Sequence, residues 1–137
     1  MRIYLCRHAH AEPGEPDELR PLSAEGRAQA EALGDELASQ PEPPRLVLSS
    51  PLLRARQTAA AIGRRVAAPV ETDVRLAPGA SVAGLAAATA GRKGPVAAVG
   101  HQPDCSEIAL VLVGRDPGFP AGGMLVVDLP VGTAGSS

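Results

Sequence analysis

Apolar residues come in short blocks along the chain, each closed by a cluster of polar residues, Gly or Pro. Arg2 to Cys6, Leu46 to Leu48, Pro95 to Val99 and Met124 to Leu129 have the length and composition of strands, and Val70 to Thr72 is a weaker block of the same kind. Between these blocks the apolar spacing turns helical. Ser23 is a suitable N-cap for a helix running to about Gln40, with Ala30, Leu33 and Leu37 on one face. Ser50-Pro51 predicts a cap followed by Pro at the first helical position, opening a second helix to Val66. Ser81 predicts the start of a short Ala-rich helix to about Ala90, and a last helix is expected from Asp104 to Val113. Glu12 to Pro21 carries Pro13, Gly14, Pro16 and Pro21 and reads as irregular.

Strands alternating with helices predict an α/β layered fold with a mostly parallel sheet. A chain of 137 residues is one domain's worth. That domain is expected over residues 1–130, with 131–137 a disordered tail.

Composition narrows the function classes. Apolar residues are 45% of the chain and aromatics 1%, so the core is built from Leu, Val, Ile and Ala, and base stacking on aromatic platforms is excluded. Thirteen basic residues against 15 acidic ones give a net charge of -2, which creates no field for nucleic acid or an anionic membrane. Cys6 and Cys105 are too few for a disulfide framework, lack metal-site spacing and read as small core residues. No signal-peptide core or membrane-spanning run stands out, and a cytoplasmic location is the expectation.

In parallel α/β sheets ligands bind beyond the carboxyl ends of the strands, which directs attention to the residues immediately after each strand. The first strand leads into Arg7-His8-Ala9-His10, the second into Ser49-Ser50-Pro51 with Arg54 one turn on, and the third into Gly100-His101. If these strands are parallel neighbours, Arg7, His8, Arg54 and His101 converge, and cationic donors without a balancing carboxylate make an anion site. Arginine forks match phosphate oxygens, and an imidazole can accept a phosphoryl group covalently.

The strand-to-RHA junction at 5–9, SSPLLRARQTA at 49–59 and VGHQPDCS at 99–106 resemble the histidine phosphatase, or phosphoglycerate mutase-like, superfamily. RPLSAEGRAQA at 20–30, LAPGAS at 76–81 and the short chain look most like its SixA-type phosphohistidine phosphatase branch. The resemblance runs from Met1 to about Leu129. It implies a three-layer α/β/α sandwich and metal-independent hydrolysis without a cofactor. His8 would be the phosphorylated nucleophile, Arg7 and Arg54 would hold the phosphoryl oxygens, and His101 would bind phosphate. The expected partner is a protein bearing phosphohistidine, or else a small phosphorylated molecule.

Around this core, Arg20 is expected at the pocket rim, with a surface loop charge as the alternative. Ser50 is chiefly a cap and also a candidate phosphate contact; Gln102 and Asp104 are candidates for the substrate entrance, Asp104 equally as a cap. Arg56 should face away from the site and His10 should lie outside the chemistry. Ala9 stands where many members of the superfamily carry Gly. The stretch Leu76 to Gly84 lacks the carboxylate that members acting on phosphate esters use as a general acid, which favours a phosphoramidate substrate unless Glu12 or Asp104 substitutes. Three other readings compete: a broad-specificity phosphomonoesterase, a non-catalytic phosphoprotein-binding module, and a metal site on His8, His10 and His101, which lacks carboxylates to complete it.

Overall fold

The computed structural model describes residues 1–130; the expected tail at 131–137 lies outside them. Five strands form one sheet in the order β3-β2-β4-β1-β5, where β1 is Arg2–Arg7, β2 Leu46–Ser49, β3 Val70–Thr72, β4 Val96–Gly100 and β5 Met124–Asp128. All pairings are parallel except β1 with β5. Four helices cover the sheet: α1 Ala24–Ala38, α2 Leu53–Val66, α3 Val82–Thr89 and α4 Asp104–Val113.

The two-residue period of the strands decides which helices go where. Tyr4, Cys6, Val47, Ala97 and Val99 face Leu33 and Leu37 of α1 and Ala55, Ala59 and Ile62 of α2. Their neighbours Ile3, Leu5, Leu46, Leu48, Val96 and Ala98 face Leu85 and Ala88 of α3 and Cys105, Ile108 and Ala109 of α4. The result is the three-layer sandwich, with the inner strands β1, β2 and β4 apolar on both faces because both are covered.

Three local expectations are corrected. Ser50-Pro51 does not cap α2, which begins at Leu53; the Ser50 hydroxyl instead accepts the Leu52 N–H at 3.2 Å in the bend before the helix. Asp104 is the first residue of α4 rather than its cap, a position held by Pro103. The Pro-rich segment 12–21 is not wholly irregular: after Pro16 it forms a 3-10 turn at Asp17–Leu19.

That segment is pinned at its base. Glu12 N–H donates to the Pro21 carbonyl and Ser23 N–H to the His10 carbonyl. Ser23 caps α1 as expected by accepting from Gly26 N–H. The first turn of α1 then lies so close to the loop that a methyl group at Gly26 would collide with the His10 carbonyl, so the position requires glycine.

Candidate active site

Strand register builds the site. Cys6 of β1 lies level with Val99 of β4, which lies level with Ser49 of β2, and Arg7 lies level with Gly100. The next residues, His8, His101 and Ser50, therefore emerge side by side at the carboxyl edge. Sheet-like bonding continues into them, with His8 N–H donating to Gly100 O and Ser50 N–H to Val99 O, each at 3.0 Å. The His8 and His101 rings end 5.1 Å apart between centroids, tilted by 57°.

Each side chain is oriented by a particular partner. His8 Nδ1 lies 2.7 Å from the Ala9 carbonyl oxygen. A carbonyl only accepts, so Nδ1 carries the proton and Nε2 keeps its lone pair. His101 Nε2 lies 2.7 Å from Ser50 Oγ, while its Nδ1 is buried without a partner among the described residues. Arg7 donates from Nη1 to the Phe119 carbonyl at 3.0 Å, and its buried Nε is likewise unpartnered. Unsatisfied buried donors of this kind are rare in native proteins and are expected where a ligand completes the bonding.

Both histidines are held neutral. Burial is the main cause and lowers each to about 4; Arg54 and Arg7 push further down in both cases. Loss of solvation outweighs the arginines in both rings.

Arg54 projects from the first turn of α2 and is nearly buried. Its Nη1 donates to the Asp17 carbonyl at 2.9 Å and its Nη2 to an Asp17 carboxylate oxygen at 3.2 Å. Arg20 donates from Nη1 to the other carboxylate oxygen at 3.0 Å and from Nε to the Glu12 carbonyl at 2.8 Å. Arg20 thus lies at the rim, near enough to help lower the His8 pKa. Gln102 turns away from the cluster: its amide exchanges hydrogen bonds with Ser106 in the first turn of α4. Arg56 is exposed and donates to the Pro51 carbonyl. His10 is exposed, with Nδ1 2.7 Å from Ser23 Oγ, so the three histidines do not gather into a metal site. No group of three or more metal-ligating side chains occurs among the described residues.

Two residues were missed in the sequence. Thr58 Oγ1 accepts the Ala9 N–H and donates to the Arg54 carbonyl. Its spacing of one turn from Arg54 was the available signal. Asp17 had none, because its contacts depend on the 3-10 turn and on loop closure. Of the candidate acids, Glu12 is exposed, and Asp104 is buried with its carboxylate accepting from Gly79 N–H at 2.9 Å and Ala80 N–H at 3.2 Å. Burial keeps both thiols protonated, Cys6 far above the usual range and Cys105 at about 12.

The family model for branch 1 of the histidine phosphatase superfamily matches residues 3–79. A solved structure assigned as phosphohistidine phosphatase SixA from Agrobacterium tumefaciens is 33% identical, with a TM-score of 0.79 over 93% of this chain and 90% of that one. The protein histidine phosphatase SixA in complex with tungstate is 28% identical, with a TM-score of 0.83 over 94% and 88% of the two chains. A mycobacterial glucosyl-3-phosphoglycerate phosphatase shares the fold at 23% identity and a TM-score of 0.64, over 88% of this chain and 82% of that one. A search of the curated proteins finds no match. No helix among the described residues is long and apolar enough to cross a membrane.

Proposed function

Because the chain belongs to the histidine phosphatase superfamily, we propose that it removes phosphate from phosphohistidine on a protein, through a phospho-enzyme on His8 and without a metal. The observation that carries this reading is the state of His8, a neutral imidazole whose Nδ1–H is held by Ala9 so that Nε2 is free to attack. In the first step the Nε2 lone pair forms a bond to phosphorus, and the P–N bond of the substrate breaks with its electron pair going to the leaving imidazole. In the second, water attacks phosphorus, the P–Nε2 bond breaks, and inorganic phosphate leaves.

Phosphoryl transfer asks the protein for position and distributed positive charge more than for a strong base. Arg7 and Arg54 are assigned to the phosphoryl oxygens, and His101 Nδ1 and Arg7 Nε are the unpartnered groups an oxyanion would satisfy. Arg20 is assigned to the rim. Ser50 accepts from Leu52 N–H, so its hydroxyl proton is available to His101 Nε2, which leaves Nδ1 protonated and a donor to phosphate. Ser50 is therefore read as positioning His101, and Gln102 as ordering the start of α4.

The choice of a phosphoramidate over an ester rests on proton supply. Residues 76–84 carry no carboxylate, and Asp104 is bound by the amides of that loop. An alkoxide needs a proton in order to leave, whereas the ring of phosphohistidine can arrive protonated. The SixA neighbours, described as phosphohistidine phosphatases, support the same choice. The test is acid-sensitive, base-stable labelling of the protein by a phosphohistidine peptide, with turnover compared against a panel of phosphate esters. Hydrolysis of the peptide with a label that His8→Ala abolishes is expected. Turnover of esters alone would overturn the substrate assignment.

A further inference from the structure

We infer that Asp17 is a specificity-determining residue whose carboxylate receives the cationic ring N–H of a protonated phospho-imidazole substrate. The inference rests on the phosphohistidine reading above and extends it to the leaving group. Its basis is a carboxylate built into the arginine clamp itself. One Asp17 oxygen is 3.2 Å from Arg54 Nη2, the other is 3.0 Å from Arg20 Nη1, and the backbone carbonyl of the same residue takes Arg54 Nη1.

This anion is not a proton donor. Hydrogen bonds from Arg20 and then Arg54 hold the carboxyl below its ordinary value, so it is ionised wherever the neutral histidine nucleophile is available. Each oxygen accepts one side-chain hydrogen bond, and a carboxylate offers about four acceptor directions, so two remain. The Arg54 side chain is 10% exposed and that of Asp17 57%, so the direction from Arg54 to Asp17 runs from the protein toward solvent. In-line attack puts the leaving group on the side of phosphorus away from His8, and that group is assigned to the same open edge.

The charges then select between substrates. A phosphate ester brings two negative charges close to the Asp17 carboxylate and is repelled. A phospho-imidazole protonated on its other ring nitrogen brings the same phosphoryl charge with a cation beside it, and its N–H finds an acceptor. The interaction keeps the ring in the form whose P–N bond can break: the bonding pair returns to the ring, which departs as neutral imidazole with the proton still on its other nitrogen. The effect is one of recognition and falls on KM more than on kcat.

The experiment compares kcat and KM for phospho-imidazole and for an aryl phosphate at pH 7 to 8 in the natural protein, D17N, D17E and the double variant E15Q/E18Q. Glu15 and Glu18 are exposed acids of the same loop, so their removal changes the loop's charge without touching the clamp. D17N should lower the ratio of kcat/KM for phospho-imidazole to that for the aryl phosphate by about tenfold, the lower range of a hydrogen bond to a charged group. D17E should restore most of the ratio and E15Q/E18Q should leave it unchanged. An equal fall on both substrates in D17N would show that Asp17 only positions the arginines, and an unchanged ratio or an equal effect of E15Q/E18Q would also overturn the inference. Failure of the natural protein to cleave phospho-imidazole would instead overturn the substrate reading.

Discussion

Thr58 Oγ1 lies 3.0 Å from the Ala9 backbone nitrogen and accepts its hydrogen, which fastens the residue after His8 to helix α2. The same hydroxyl donates to the Arg54 carbonyl at 2.8 Å, so one buried side chain sets the spacing between His8 and the arginine clamp. T58V keeps the shape but leaves the Ala9 N–H buried and unpaired. It should cost about 1–3 kcal/mol of stability in a denaturant titration and lower kcat more than it raises KM, while T58S recovers both.

Removing the His8 imidazole should separate binding from turnover. H8A is expected to lose turnover while retaining much of the affinity for vanadate or tungstate, because Arg7, Arg54 and His101 remain. R54A should weaken oxyanion binding and rate together, since one arginine fork on a partly desolvated dianion contributes a few kcal/mol. Oxyanion affinity measured by calorimetry beside single-turnover rates distinguishes these patterns. Restoration of chelator-lost activity by Zn²⁺ would favour a metal reading.

Both histidines bind a proton less readily in the folded state than in the unfolded chain, where the ordinary value is 6.5. Between that value and about 4 the unfolded chain holds more protons, so stability falls as pH drops through this window and is fully present above it. Melting temperatures measured from pH 7 to 4 should decline, and less steeply in H8Q/H101Q. A profile unchanged by the double substitution would show that the two rings are not held neutral by the fold.

The missing carboxylate at 76–84 predicts a steep dependence on leaving group. General acid catalysis commonly contributes about 10²–10⁴-fold, so an alkyl phosphate should lag a phosphoramidate by at least that order, while activated aryl phosphates remain reactive. Efficient hydrolysis of an alkyl phosphate, with a basic limb in the pH profile that disappears on mutating Glu12 or Asp104, would overturn this.

The range of each interaction decides how much of it is legible in the sequence. The alternation of apolar blocks specifies strands and helices locally, and the carboxyl-edge rule then gathers Arg7, His8 and His101 once β1 and β4 are taken as parallel neighbours. Ser23 and Ser81 cap their helices as their residue types predict. Ser50 does not, because its hydroxyl is shared between Leu52 N–H and His101, a residue distant in sequence and adjacent only through the β2–β4 pairing. Gln102 bonds Ser106 for a related reason, since an amide at a strand end can equally serve the first turn of the next helix. Asp17 was the least legible, because a Pro-rich segment advertises a loop without saying which of its acids will pair with Arg54 and Arg20.

The antiparallel partner of β1 bears on when the catalytic edge comes into being during synthesis. Phe119 O holds Arg7, Gly122 N–H donates to His8 O, and Gly123 O accepts Arg7 N–H. The contact between Arg7 and Phe119 spans 112 positions of the chain, and His8 can take its full set of backbone partners only after residues 119–123 have folded back against β1. A nascent polypeptide therefore exposes His8 early and completes its surroundings late, so on the proposed reading the chain gains activity only when nearly the whole described fold has left the ribosome.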